Sequence, residues 1–515
     1  MNKDFNLLDK PWLPVRFADG HIEELGLLGA FRRSDQIVAL AETAPPNLVA
    51  QYRLLLAILH RALTRAFPEG WKDKDRARWY REGLPVEAVA DYLEHWRERF
   101  WLFHPECPFM QVAALDECDE TQSLYPPSTL SLEQFYGTGM FNQEVFRNDA
   151  WWPRDVIKSM MGYFQFVPGG FFPGKKLKVS EKAGALTDTA AILPLGASLA
   201  QTLTLCLHGW RGGDDLPAWE RARLTVSELR GDPVLATGPN DRYTRQSRAV
   251  LLLREPDGSI RWLRFAAGFA LGEDANAPDP MASFRVSADG TKLVRLSFGK
   301  GRALWRDLPV LVPNPSRASH PAAVISHALE LHAQLNPFES VHQPLLVAGL
   351  ASDQAKLLRW RSESIALPVA LLENADKAGY LRDLVEKAEA VFGEIRKLAA
   401  RMLAETLPDA ASKDTYNRAR SMLDTGPFTT SYYATAERTL PELLRLLGEG
   451  DFVQATTLWH ATLRHSALTA WERASTGLGR SPRALRADAK FRPHFHGLLN
   501  KHVPITESST TAKEA

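Results

Sequence analysis

ADKAGYLRDLVEKAEAVFGEIRKLAARML, residues 375–403, divides the chain into two kinds of sequence. Leu381, Leu384, Val385, Ala388, Val391, Phe392, Ile395, Leu398, Met402 and Leu403 recur at three- and four-residue spacing. That spacing is one stripe of an α-helix with 3.6 residues per turn. Arg382, Glu386, Glu389, Arg396 and Lys397 cover the other face, where oppositely charged neighbours add a little helix stability. The stripe must be buried against something, and more helical sequence follows. Residues 416–423 and 432–447 read as shorter helices, with Pro441 predicted to kink or restart the second. Asp451 is placed to cap a last long helix burying Phe452, Trp459, Leu463, Ala470 and Trp471. About four helices joined by short loops predict an antiparallel four-helix bundle over 371–502. The Ser/Thr-rich residues 503–515 predict a disordered tail.

Ahead of residue 371 the pattern is mixed. Leu7 to Val15 reads as an extended start, and Asp19-Gly20 as a hairpin turn before residues 23–28. After Pro45-Pro46, Asn47 is placed to cap a long helix with Val49, Tyr52, Leu55, Leu56, Leu59, Leu63 and Phe67 on one face. Pro85 opens a second helix carrying Val89, Leu93, Trp96 and Phe100. Residues 192–207 read as a buried helix weakened by Gly196. Residues 248–254 and 260–265 flank Pro256-Asp257-Gly258, and 284–286 and 293–298 flank Asp289-Gly290, predicting two β-hairpins. Helix returns at 322–335. The expected fold class is α+β: a mixed domain over 1–370 with β-hairpins and helices, then the bundle.

Composition narrows the function classes. The chain has 515 residues, 45% hydrophobic and 24% charged, which suits several packed domains. A formal net charge of +1 means that any nucleic-acid contact must come from a local basic patch. Cys107, Cys118 and Cys206 are the only cysteines and show no C-x-x-C spacing, so neither a disulfide framework nor a zinc knuckle is expected. The polar start Asn2-Lys3-Asp4 is not that of a signal peptide, and no apolar run reaches the ~18 residues needed to cross a bilayer. A cytoplasmic protein with no membrane partner is expected.

MGYFQFVPGGFFPGKKLKVSEKAG, residues 161–184, is the local basic patch. Tyr163, Phe164 and Phe166 lead into Gly169 and Gly170, and Gly174 is followed by Lys175, Lys176, Lys178 and Lys182. Glycines allow close backbone approach, and lysines bring point charges suited to phosphate. Such a loop can press against a nucleic-acid groove or cradle a nucleotide; the alternative is a surface loop with solvated lysines behind a core aromatic strand. Gly169, Gly174 and Lys175 also match G-x-x-x-x-G-K, but Lys176 stands where the magnesium-binding Ser or Thr belongs. The alternation after it suggests a strand where an ATPase needs a helix N-terminus. A nucleotide-using enzyme is therefore an alternative, not the first reading.

Catalytic motifs are otherwise missing. His494 and His496 have no third ligand or carboxylate at useful spacing, and His460 and His465 point to different helix faces. Residues 196–200 lack the second glycine of a nucleophile elbow. No metal, no cofactor and no catalytic residue is assigned, which favours a binding protein over an enzyme.

Several segments together resemble one family, CasA, the large subunit of the type I-E CRISPR surveillance complex Cascade. Asn6-Leu7-Leu8-Asp9-Lys10-Pro11-Trp12-Leu13-Pro14-Val15 resembles the family's N-L-L-x-x-x-W-[IL]-P-V opening, and His104 to Gln111 its H-P-F-M-Q region. Tyr243-Thr244-Arg245-Gln246-Ser247-Arg248 is similar to its Y-L-T-W-Q-S-R segment, one residue shorter and with Arg245 for Trp. Asp279-Pro280-Met281 and Trp305-Arg306-Asp307-Leu308 follow in the expected order. The resemblance implies a non-enzymatic protein of antiviral defence. It would sit near the 5′ handle of the guide RNA with the backbone, handle-binding and small subunits. It would read the PAM of double-stranded target DNA, help open an R-loop and recruit the helicase-nuclease.

The resemblance also implies site residues. The family's glycine loop along the PAM minor groove corresponds to Gly169, Gly170 and Gly174, with Lys175 and Lys176 beside it; the family's run is denser in glycine. Its glutamine wedge corresponds to Gln354, with Asp353 and Lys356 as neighbouring DNA contacts, an amide suited to inserting where a pair opens. Its lysine finger falls nearest Arg264, a departure because Arg is a planar fork and Lys a point charge. Some members carry paired cysteines that look metal-binding; this chain has none. The competing class is a protein-only scaffold whose bundle docks other proteins.

Overall fold

The computed structural model describes residues 3–132, 150–170, 177, 182–209, 213–274, 277–287, 289–299, 301–316, 319–335, 342–353 and 356–504, with the backbone alone at 352, 353 and 356–359. The chain divides into two compact units: residues 1–302 with 318–366, and residues 303–317 with 367–515.

The first unit is built from short antiparallel pairings around one buried helix. Strands β1 (Asp4–Asn6), β2 (Leu13–Phe17), β3 (Ile22–Leu25) and β4 (Ile37–Leu40), with helix α1 (Leu27–Arg32), form the start. β2 pairs with both β3 and β4, and β1 with β5 (Trp101–Phe103). Gly20, at φ 86°, makes the predicted β2–β3 turn. Helix α2 (Pro45–Ala66, 22 residues) is buried along nearly its whole length. It begins at Pro45, with Ala44 before it, so the expected cap at Asn47 is incorrect. Two prolines supply first-turn φ values and lack the N–H groups that a cap would have to satisfy. Asn47 instead packs on Gly162, where an added Cβ would lie 2.1 Å from its amide oxygen. Burial of each leucine from Leu54 to Leu63 contributes about 1.5–3 kcal/mol.

Helices α3 (Asp73–Glu82) and α4 (Val86–His95) follow, and α4 stops before Phe100, which ends a separate 3-10 turn. β6 (Leu124–Tyr125) and α5 (Pro153–Phe166) come next. The aromatic run Tyr163 to Phe166 is thus the last turn of a helix and not a strand. Residues 192–207 are not one helix. β7 (Ala190–Pro194) gives way at Gly196 to α6 (Leu199–Cys206), because Ser198 caps a new start by accepting from the Gln201 N–H at 3.2 Å. Helices α7 (Val226–Arg230) and α8 (Pro239–Thr244) precede the predicted hairpin of β8 (Arg248–Arg254) and β9 (Ile260–Ala267). The second predicted hairpin, β10 (Phe284–Val286) with β11 (Leu293–Arg295), also forms; β10 pairs in addition with β12 (Ser319–His320). After α9 (Ala323–His332), two long strands not read from the sequence, β13 (His342–Asp353) and β14 (Lys356–Pro368), are neighbours in a sheet ordered β14-β13-β7. α2 packs against α4, α5, α6, α8 and β13.

The second unit is helical. After α10 (Val369–Glu373), α11 (Ala375–Ala404) is the helix predicted from the stripe, and Leu381, Leu384, Val385, Ala388, Val391, Phe392, Ile395 and Met402 are buried. α12 (Lys413–Thr425), α13 (Pro427–Glu437), α14 (Leu440–Glu449), α15 (Phe452–Gly477) and α16 (Pro482–His502) complete it. Pro441 restarts the chain in the first turn of α14, and Asp451 caps α15 by accepting from the Gln454 N–H at 3.0 Å. α11 packs against α12, α15 and α16, while α13 and α14 pack on α15. The 3-10 segment Leu304–Val310 belongs to this unit: Trp305 meets Trp459 at 5.7 Å, and Arg306 clasps Glu389 at 2.6 and 2.9 Å. Among the described residues no helix is long and apolar enough to cross a membrane. Residues 505–515 lie outside the described residues.

Candidate nucleic-acid interface

The glycine–lysine loop leaves the C-terminus of α5, where a helix always exposes unpaired carbonyls. Carbonyls of this end and of the two residues beyond it find specific donors. Tyr163 O accepts from Val167 N at 2.9 Å, and Phe164 O accepts from the Ser247 hydroxyl at 2.6 Å. Gln165 O accepts from Leu186 N at 2.8 Å, and Val167 O from Gly184 N at 2.8 Å. Pro168 O accepts from the Arg248 guanidinium at 2.9 Å. The same guanidinium donates to Lys182 O and Ser247 O, both at 2.8 Å. The two stems of the loop therefore lie side by side, and Gly184 allows it: an added Cβ would sit 2.6 Å from the Phe164 and Gln165 oxygens. Burial pushes the Tyr163 phenol up, with Arg248 opposing, so it stays neutral.

Gly169 and Gly170 begin the loop, both exposed, and Gly170 has φ 125° with nothing among the described residues within 4 Å of where a Cβ would be. That backbone conformation favours glycine. Gly174, Lys175 and Lys176 lie outside the described residues. Leu177, further along, packs against a core of Val112, Leu115, Leu229, Ala249, Leu251 and Ala266.

Beyond Gly184 the chain enters β7, whose first residue Ala190 pairs with Gly349 of β13. Because β7 and β13 are antiparallel, the loop stem approaches the sheet at the end where β13 continues to Asp353. At about 3.3 Å per residue, Asp353 stands roughly 13 Å past that pair. Asp353 ends β13 and Lys356 begins β14; Gln354 lies outside the described residues. One end of one sheet thus gathers the exit stem of the glycine–lysine loop and the strand ends flanking Gln354.

Arg264 is placed differently. On β9 it pairs with Leu251, so its side chain lies on the opposite face of the β8–β9 hairpin from Arg248. Its guanidinium donates to Asp116 at 3.1 Å and to Gln122 O at 3.1 Å, and its side chain is 13% exposed. That face is the one on which Leu177 packs.

The motif residues turn out to be stitching. Trp12 donates to Leu7 O at 3.1 Å, and Asn6 accepts from Leu8 N at 3.0 Å. Gln111 donates to Leu102 O at 2.7 Å and accepts from Leu252 N at 2.8 Å. Arg245, standing for Trp, is buried and paired with Asp241 at 2.6 Å. Asp279 is fully buried against Arg53 at 2.8 Å. Burial pushes its carboxyl up, but the Arg53 charge and hydrogen bonds outweigh that and hold it below the usual carboxylate range. Arg248 was visible only as a motif letter; nothing local in the sequence marks its partners.

Of the residues in the phosphate-loop alternative, Gly169 is described, and Gly174, Lys175 and Lys176 lie outside the described residues. His494 and His496 both lie on α16, and among the described residues no three or more His, Cys, Asp or Glu side chains gather as metal ligands.

Comparison with known proteins gives one consistent result. The chain matches the family model described as CRISPR-associated protein Cse1 over residues 6–470. It is 31% identical over 513 residues to the CRISPR-associated protein CasA/Cse1 of Thermus thermophilus, spanning 96% of this chain and 97% of that protein. The crystal structure of Thermus thermophilus CasA superposes with a TM-score of 0.83 at 29% identity, over 97% of this chain and 100% of that one. A chain of a structure described as a CRISPR RNA-guided surveillance complex shares the fold, with a TM-score of 0.73 at 21% identity over 96% and 100% of the two chains.

Proposed function

The chain belongs to the Cse1 (CasA) family of CRISPR-associated proteins, and from that premise we propose that it is the large subunit of a type I-E RNA-guided surveillance complex, acting in the cytoplasm in antiviral defence. In this reading it carries no catalytic residue and no cofactor. It holds the 5′ handle end of the guide RNA beside the backbone, handle-binding and small subunits. It reads the PAM in double-stranded DNA, helps open the duplex, and recruits the helicase-nuclease. Sequence discrimination is left to base pairing, as RNA-guided recognition requires.

What supports the reading is the shared sheet end: the exit stem of the glycine–lysine loop and the strands flanking Gln354 approach it together. Gly169, Gly170 and Gly174 would lie along the minor groove, Lys175 and Lys176 would meet phosphates, and Gln354 would enter the opened step. Asp353 and Lys356 would border it. Arg264 joins only by exchanging Asp116 for a phosphate, a swap of one charged partner for another. The test is co-expression with guide RNA and the other subunits. Co-purification in a complex that captures PAM-bearing duplex supports the reading; a chain that binds neither sinks it.

A further inference from the structure

We infer that Arg248 is a positioning residue for the glycine–lysine loop, a buried clamp that ties the loop's two stems and fixes where the loop is presented. Its side chain is 1% exposed, so it cannot itself meet a phosphate. Its planar fork reaches Pro168 O, immediately before Gly169, and Lys182 O on the returning stem, with Ser247 O as a third acceptor. These partners stand 80 and 66 residues away in sequence, so a side chain from far along the chain adds to the backbone bonds that already join the two stems. A guanidinium does this where an ammonium does not: its donors are rigidly spread in one plane, and hydrogen bonds from a charged donor are the stronger kind.

The backbone around Arg248 is built to hold it in place. It begins β8 opposite Ala267, and the next residue, Gly268, lies against it so closely that an added Cβ would be 2.3 Å from the Arg248 nitrogen. Ser247, one residue earlier, ties Phe164, and Gln165 donates to Tyr243 O at 3.0 Å. The segment 243–248 is thus one strap across the end of α5, and Arg248 is its last and longest reach. Gly184 and Leu186 supply backbone bonds to Val167 and Gln165 in the same stem.

The effect on DNA rests on the reading that this loop meets DNA, whereas the effect on the stem does not. The experiment reads both. Arg248→Met, Arg248→Lys and Gly184→Ala are made in the full chain within the assembled complex. Hydrogen exchange is followed across residues 163–170 and 182–188, and affinity for PAM-bearing duplex is titrated against salt. Arg248→Met should speed exchange at the Gly184 and Leu186 amides. It should weaken binding about tenfold, the cost of ordering on binding what the clamp orders beforehand. The slope of affinity against salt should not change, because no phosphate contact is removed. Arg248→Lys should fall between wild type and Met, since one ammonium cannot span both stems. Gly184→Ala should give the same signature with Arg248 intact. Unchanged exchange in the stem overturns the clamp. Faster exchange with unchanged DNA affinity keeps the clamp and refutes the DNA reading of the loop. If Arg248→Met loosens the whole unit, Arg248→Lys and Gly184→Ala decide by the same two readouts.

Discussion

Asp279→Asn is expected to destabilise the first unit by about 3–5 kcal/mol, the cost of leaving one charge of a buried pair uncompensated. Arg53 and Asp279 side chains are both 0% exposed, and two hydrogen bonds at 2.8 and 3.0 Å join them. Asp279 also accepts from Met281 N at 3.0 Å, and the Arg53 guanidinium lies 4.4 Å from the centre of the Tyr243 ring. Asparagine keeps the shape and one acceptor but leaves the Arg53 charge in a dry core. At about 1.4 kcal/mol per decade, the folded-to-unfolded ratio should fall by roughly two to three and a half decades. The carboxyl's folded value is depressed, so its contribution is complete above the unfolded value of about 3.9 and is lost as pH falls through the lower folded value. The gap between wild type and variant should therefore be full at pH 7 and narrow only below about pH 4. Arg53→Met together with Asp279→Asn should cost less than the sum of the two single changes. Urea melts of each variant at pH 7 and at acid pH make the measurement. A loss under about 1 kcal/mol at pH 7 refutes the reasoning, since it would mean the pair is not desolvated.

If Gln354 is a wedge, Gln354→Ala should slow R-loop formation most on relaxed linear duplex, because opening one step costs about 1.4 kcal/mol of stacking. Negative supercoiling or mismatches beside the PAM should rescue it; equal defects on all three substrates return Gln354 to an ordinary amide. Arg264→Ala should weaken DNA capture less than loss of Lys175 and Lys176, since its guanidinium is already engaged by Asp116 and Gln122. An equal or greater loss by gel shift would make Arg264 a primary contact. Ending the chain at residue 370 should give an aggregating fragment, because Trp305 and Arg306 lose Trp459 and Glu389. Removing 303–317 as well should restore a monomer, and size-exclusion chromatography distinguishes the two fragments.

What could be read from the sequence was local. The stripe from Leu381 to Met402 announces α11 because its period leaves no other burial. Gly258 and Gly290, at φ 90° and 73°, mark two real hairpin turns. Helix Pro482–His502 runs through Pro493, and Ser481 caps it by accepting from the Ala484 N–H at 3.1 Å. The strand β13 was missed because Leu345 to Ala351 is one unbroken apolar run, which has no period to separate strand from helix, and β14 because its apolar residues keep no clear period of two. Trp305 was legible as a motif, yet its place in the second unit depends on partners more than a hundred residues onward. The glycines and lysines of the loop stand out by composition. The clamp beneath them does not, because Arg248 acts through backbone carbonyls, which any sequence supplies.

The most direct test of the central claim is a salt titration of PAM-bearing duplex capture by the assembled complex, with wild type and with Lys175→Ala plus Lys176→Ala. Lysines that meet phosphates act by counterion release, so the double variant should bind more weakly, with the larger effect at low salt. The slope of log affinity against log salt should flatten by about one unit for each phosphate that is no longer neutralised. An unchanged slope would contradict the account, because the loop would then carry lysines that touch no phosphate.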